Sequence, residues 1–246
     1  AKYFEERSHS YRNYLDPATR FMRGRGSRKG WRTPFNAFAS THRADDYCEG
    51  NAWQYLWHVL QAPDSLIELL GGREKFIGRL DSLFVNEQRA AVTGFVGDVT
   101  GLIGQYAHGN EPSHHVAYLY TLAGCPARTA EVVREIFDKF YLNRPDGLCG
   151  NDDCGQMSAW YLFSAMGFYP LNPASGEYVL GAPQIPQIRL SLPNGRTLTV
   201  VAENLSADNK YVKSASIDGE TLGTTISHER IMKGGRLVFE MTSERL

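Results

Sequence analysis

Near residue 176 the chain changes the period on which its apolar residues recur, and that change constrains the fold more than any single motif. Upstream, the spacing is helical. Phe76, Leu80, Leu83 and Phe84 lie on one face of a segment that begins after Gly71-Gly72. Val132, Val133, Ile136, Phe137 and Phe140 form a second stripe behind Pro126, whose fixed φ suits a first helical turn. Further helices are predicted over 1–15, 51–60, 112–124 and 156–168. Downstream, 185–192, 197–202, 212–217 and 236–241 read as strands, with Pro193-Asn194-Gly195, Asp218-Gly219 and Gly234-Gly235 marking turns. The fold class is therefore α+β, with a helical part over 1–175 and an antiparallel β segment of sandwich type over 176–246. The stretch 21–43 is long for a connection and rich in Gly and Arg, which marks it as a functional loop.

Composition removes several classes of function. A chain of 246 residues can bury a sizeable core, and a formal net charge of −1 leaves no electrostatic footprint for nucleic acid or an anionic membrane. No apolar run reaches the roughly 20 residues that a membrane span needs. The first residues, Ala1-Lys2-Tyr3-Phe4-Glu5-Glu6, lack the shape of a secretory leader and read as mid-helix, as if the chain had been cut. Export is therefore left open. Four cysteines are too few for a disulfide scaffold. Cys149 and Cys154 lack zinc-ligand spacing, and buried thiols are the expectation. Aromatic residues make up 12% of the chain, which suits sugar-binding clefts and ordinary cores alike.

Three acid clusters share one design. Glu49-Gly50-Asn51 precedes Trp53, Gln54 and Tyr55; Asn110-Glu111-Pro112 precedes His114 and His115; Asn151-Asp152-Asp153 precedes Trp160 and Tyr161. Each is predicted to open a helix, and parallel helices with return helices between them would bring all three to one end of a bundle. Any one acid at such a place is most simply a helix cap. Asp152-Asp153 exceeds that need, because only one residue can be the cap. A helix N-terminus lowers a carboxyl pKa, which favours Asp152 or Asp153 as a general base or metal ligand. A general acid needs the opposite shift, and the rings of Tyr47, Trp53 and Trp57 make Glu49 the better acid. His114 and His115 are adjacent, so they diverge on a helix and share a metal poorly; one is expected to orient a substrate hydroxyl while the other packs. Asn110 and Glu111 offer hard oxygens suited to calcium, although no contiguous EF-hand loop is present.

At these residues the chain resembles glycoside hydrolase family 92, the calcium-dependent exo-acting α-mannosidases. The likeness runs through Tyr11-Arg12-Asn13, Phe21-Met22-Arg23, the stretch from Glu49 to Tyr55, the stretch from His108 to His115, and Gly150 to Tyr161. It continues through Gly167-Phe168-Tyr169-Pro170 and Tyr178-Val179-Leu180-Gly181. The resemblance implies an (α/α)6 catalytic domain, of which 1–175 would supply about half of the helices. It implies removal of terminal α-linked mannose from glycans, α-1,2 above all, with inversion of anomeric configuration; the alternatives are an inactive structural or carbohydrate-binding remnant and an exo-glycosidase of different linkage. Glu49 would be the general acid, and Asp152 and Asp153 the acidic pair that supplies the base, with Asp153 favoured. Trp53, Gln54, His114 and His115 would contact substrate, and Asn110, Glu111 and Asp153 would hold Ca2+. In inverting enzymes the acid and base stand roughly 6.5–9.5 Å apart to admit a water. The implied partners are a mannose-containing glycan and an N-terminal portion of the same protein, and the implied location is secreted or periplasmic. One departure is local: where the family usually has Val-Pro, then His or Gln, then Asp, this chain reads Val59-Leu60-Gln61-Ala62.

Overall fold

The computed structural model describes residues 1–26, 30–41, 46–89 and 97–246. Part of the Gly- and Arg-rich stretch 21–43, residues 27–29 and 42–43, therefore lies outside the described residues. Contacts divide the chain into two compact units, one of Ala1–Ser113 with Cys149–Asn151 and one of His114–Leu148 with Asp152–Leu246. Among the described residues no helix is long and apolar enough to cross a membrane.

The first unit carries short helices. They are α1 (Lys2–Ser8), continued by a 3₁₀ turn over Ser10–Tyr14, then α2 (Ala52–Tyr55), α3 (Pro63–Leu69) and α4 (Arg73–Val85). Strands β1 (Leu102–Ile103) and β2 (Tyr106–Ala107) pair antiparallel. α4 starts behind Gly71 and Gly72, both at positive φ, and buries Phe76, Leu80, Leu83 and Phe84 as the spacing predicts. The helix expected over 51–60 stops at Tyr55. Leu56 and Trp57 are fully buried and Val59 nearly so, so the chain beyond α2 stays in the core without continuing the helix. Ala62, where the sequence departs from the family pattern, stands at the N-cap of α3, ahead of Pro63 in the first turn.

In the second unit the helix expected over 112–124 is replaced by a 3₁₀ turn over Val116–Tyr118 and a single α turn, α5 (Leu119–Leu122). Nearly every residue from His114 to Thr121 is buried, so this segment lacks the solvent face that a regular amphipathic helix keeps. α6 (Pro126–Phe140) and α7 (Gln156–Met166) follow, the first with Pro126 in its opening turn and the second closed by Gly167 at φ 88°.

In the second unit strand structure starts at β3 (Phe168–Asn172), earlier than the change of texture near 176, and continues as β4 (Glu177–Leu180), β5 (Gln187–Ser191), β6 (Thr197–Glu203), β7 (Tyr211–Ile217), β8 (Glu220–Thr221), β9 (Thr225–Ser227) and β10 (Gly235–Thr242). A short helix, α8 (His228–Met232), joins the last two. The sheets run β3-β4-β9 and β5-β6-β10-β7-β8. Asp218 (φ 50°) and Gly219 (φ 88°) make the tight turn between β7 and β8, as their sequence predicts. One ladder departs from the antiparallel expectation, because β10 lies parallel to β6. The intervening β7, β8, β9 and α8 provide the long connection that parallel neighbours require. Both sheets, α6 and α7 bury side chains in one core, including Ala130, Met166, Phe168, Leu198, Ile217, Ile226 and Phe239.

Glu131 on α6 ties that helix to the strands. It accepts from Arg128 Nη1 (2.6 Å), Arg245 Nε (2.7 Å) and Tyr211 Oη (3.0 Å). Burial pushes its carboxyl pKa up, but these three donors outweigh that and bring it down to about 2. A depressed carboxyl pKa stabilises the fold above the unfolded value near 4.5, and the contribution is lost as pH falls from there to about 2. Glu131→Gln is expected to remove on the order of 1–2 kcal/mol at neutral pH and to flatten this acid limb, as read by urea unfolding between pH 2 and 6. An unchanged acid limb would show that the cluster contributes nothing.

Candidate active site

Glu49 lies in an irregular segment leading into α2 and is half-buried. Its N–H donates to Tyr55 Oη (3.2 Å), and its carbonyl accepts from Asn110 Nδ2 (2.8 Å). α2 has only four residues and depends on a capping box: Asn51 Oδ1 accepts from Gln54 N (3.2 Å) and Gln54 Oε1 accepts from Asn51 N (3.0 Å). Asn51 Nδ2 also reaches Gln105 Oε1 (3.0 Å), and Gln54 Nε2 donates to the Gln105 carbonyl (2.9 Å). Both ends of the Gln54 carboxamide thus hold main chain. Gln105 is almost fully buried and organises this network, and nothing in the spacing of the sequence marks it.

Trp53 is buried, with its ring edge-on to Phe21 (5.1 Å between centroids) and beneath the Arg79 guanidinium (4.2 Å). Trp57 packs on Phe76, and Tyr47 meets the ring of Tyr55 at 5.0 Å. Burial raises the Tyr55 phenol above its ordinary pKa, and the Glu49 charge adds to that rise. At His58 the surrounding protein lowers the imidazole pKa while the Glu49 charge opposes it. The Glu49 carboxylate is therefore felt on the side of Tyr55 and His58, which with Tyr11, Tyr14 and Tyr47 line a cleft of about 320 Å³.

Asn110 and Glu111 follow the β1–β2 turn and enter a 3₁₀ turn (Glu111–Ser113) rather than the α-helix expected there. Gly109 N donates to Thr100 O (3.1 Å). Gly109 has no space for a Cβ, which would collide with Thr100 Oγ1. A Cβ on Gly150 would stand 3.0 Å from Thr100 Oγ1 and 3.2 Å from both Gly109 Cα and its carbonyl oxygen. These two glycines let the main chains of 108–110 and 149–151 touch. Glu49, Asn110 and Asn151 are thereby brought into one neighbourhood of the first unit.

Asn110 is 3% exposed, and among the described residues its Oδ1 accepts no hydrogen bond. A buried carbonyl oxygen without a donor is costly, and a hard cation would satisfy it. Among the described residues no group of three or more His, Cys, Asp or Glu could hold a metal ion. The hard oxygens that suit calcium in this loop are Asn110 Oδ1 and, next in sequence, the carboxylate of Glu111.

Asp152 and Asp153 belong to the second unit. Asp153 (φ 45°), Cys154 (φ 58°) and Gly155 (φ 92°) are three successive residues in the left-handed region, a turn that swings the chain into α7. Asp152 Oδ1 accepts from Ser158 N (2.9 Å) and its Oδ2 from Ser158 Oγ (3.1 Å), so this carboxylate satisfies an open N–H of the first turn of α7. Asp153 is exposed, and its side chain makes no hydrogen bond among the described residues. All four cysteines are free, but they depart from the expected burial: Cys48 and Cys154 are exposed, and Cys125 and Cys149 are half-buried. Hydrophilic turn positions, where acids and glycines leave little apolar cover, account for the exposed pair.

His114 and His115 are buried. Trp160 Nε1 donates to the His114 carbonyl (2.9 Å), and Gln156 Nε2 stands 3.2 Å from His114 Nδ1. This contact ties the His114 ring to the first turn of α7. Gln156 lies just beyond the acid turn, and that position is its only signal in the sequence.

The family model of the glycosyl hydrolase family 92 catalytic domain matches residues 1–243. A family GH92 α-mannosidase from Bacteroides thetaiotaomicron, solved in complex with mannoimidazole, is 41% identical with a TM-score of 0.93, covering 99% of this chain and 32% of its own. A family GH92 inverting mannosidase from the same organism is 35% identical with a TM-score of 0.85, covering 99% of this chain and 34% of its own. An uncharacterized secreted glycosidase of Arthroderma benhamiae is 30% identical over 213 residues, 85% of this chain and 25% of that protein. The chain thus spans about a third or less of the length of these relatives.

Gly150→Ala is expected to cost about 1–3 kcal/mol by forcing the two main chains apart. Gly155→Ala, where φ is 92° and a Cβ meets nothing within 4 Å, serves as the comparison and should cost about 1 kcal/mol. Urea unfolding reads both; a Gly150→Ala loss no larger than that of Gly155→Ala would contradict the tight approach.

Proposed function

Because the chain belongs to glycosyl hydrolase family 92, we propose that it forms part of an exo-acting α-mannosidase that removes terminal α-linked mannose, α-1,2 above all, with inversion. The two solved relatives described as mannosidases support the reaction class. In this reading 1–175 supply the C-terminal half of an (α/α)6 catalytic domain and 176–246 the strand module, and the site is completed by an N-terminal portion of the same protein. The relative described as a secreted glycosidase supports a secreted location.

The observation that carries the reading is the division of labour in the acid turn. Asp152 is engaged at both oxygens by Ser158, whereas Asp153 keeps its carboxylate exposed. Asp153 is accordingly the general base that takes a proton from the attacking water, and Asp152 holds the turn that presents it. Glu49, with its backbone fixed on both sides, is the general acid that protonates the departing glycosidic oxygen. Of His114 and His115, one orients a sugar hydroxyl while the other packs, and Trp53 and Gln54 contribute to substrate binding. Asn110, Glu111 and Asp153 are the residues that would hold calcium, which supplies a hard electrophile for sugar hydroxyls.

In the whole protein, Glu49→Gln and Asp153→Asn should each lower mannose release from α-1,2-mannobiose by about 10²- to 10⁴-fold. Asp152→Asn should lower stability more than rate. EDTA should abolish release and added Ca2+ restore it. Rates within a few-fold of wild type for Asp153→Asn, together with a large loss for Asp152→Asn, would reverse the base assignment, and EDTA-resistant turnover would remove the metal.

A further inference from the structure

Tyr55 bonds the main chain at Glu49, and the reaction as described leaves it without a role. It closes α2 and stands half-buried against Tyr47, with ring centroids 5.0 Å apart. Its phenol oxygen accepts two consecutive backbone N–H groups, from Cys48 (3.1 Å) and Glu49 (3.2 Å). On the other side of the same Cα, Asn110 Nδ2 holds the Glu49 carbonyl (2.8 Å). Gly50 completes the fit, since a Cβ there would stand 3.2 Å from Tyr55 Cε2 and 2.6 Å from Gln54 Oε1.

Glu49 belongs to no helix or strand, so no ladder of backbone hydrogen bonds fixes it. The two peptide groups that set its φ and ψ are held instead by side chains. Proton delivery is sensitive to such placement, because a displacement of about 1 Å can cost about 100-fold in rate. A phenol fits this role because it is rigid and reaches from a helix turn. Its raised pKa also keeps it a neutral acceptor through the physiological range.

We infer that Tyr55 is a positioning residue for Glu49, holding the backbone of the acid in register for protonating the leaving oxygen without touching substrate. This rests on the reading of Glu49 as general acid. Tyr55→Phe keeps the ring and deletes the acceptor oxygen. In the whole protein its kcat on α-1,2-mannobiose, whose leaving alkoxide needs a proton, should fall about 10- to 100-fold with KM nearly unchanged. On 2,4-dinitrophenyl α-mannoside, whose phenolate departs unprotonated, kcat should stay within about twofold. The ratio of the two rates reports on the folded fraction alone, so it survives partial destabilisation. Glu49→Gln on the same pair sets the reference. If Glu49→Gln shows no split between the substrates, the acid assignment fails and the inference with it. If Glu49→Gln shows the split and Tyr55→Phe slows both substrates equally or neither, the positioning role alone is overturned.

Discussion

Two glycines in contact set the geometry on which the rest of the site depends. Gly109 and Gly150 have hydrogen where any other residue has a side chain, so the loop carrying Asn110 and Glu111 lies against the segment that leads to the acid turn. From that loop Asn110 does two things with one carboxamide. Its nitrogen fixes the Glu49 carbonyl, and its oxygen stays buried without a donor among the described residues. A leucine in its place would fill similar space and do neither. The desolvation of that oxygen is the kind of local cost that a structure carries for a ligand rather than for its own stability.

Electrostatics and backbone geometry divide the remaining work. Asp152 and Asp153 are adjacent and chemically identical, yet one occupies a helix N-terminus and the other does not, because three left-handed residues in a row turn the chain into α7. Glu49 gains its order from side chains on its own peptide groups, since α2 is too short to impose it and is itself held by the Asn51–Gln54 box. Short helices with reciprocal caps and turns at positive φ are the working parts of this site. The long elements, α4, α6 and the five-stranded sheet, supply the buried mass that supports them.

Much of this is legible in the residues. The stripes of α4 and α6, the proline in the opening turn of α6 and the Asp218-Gly219 hairpin follow from periodicity and turn chemistry. The two acids do part company, Asp152 bonding Ser158 while Asp153 is exposed, but the N-cap position of α7 is taken by Gly155 and not by either of them. Periodicity fails where burial is nearly complete: from His114 to Thr121 there is no polar face to set a phase, and turns occur where a regular helix is expected. The parallel β6–β10 ladder is hidden because pairing partners far apart in sequence leave no local signal. Gln105, Gln156 and the phenol of Tyr55 escape for the same reason, since each acts through a contact that only the folded chain creates.

In the proposed mechanism a water displaces the leaving group directly, without a covalent intermediate. The proton NMR spectrum of mannose in the first minutes of hydrolysis of an α-mannoside by the whole protein, before mutarotation, separates the two routes. Inversion requires that β-mannose accumulate first and α-mannose grow in later. α-Mannose as the first product would contradict it.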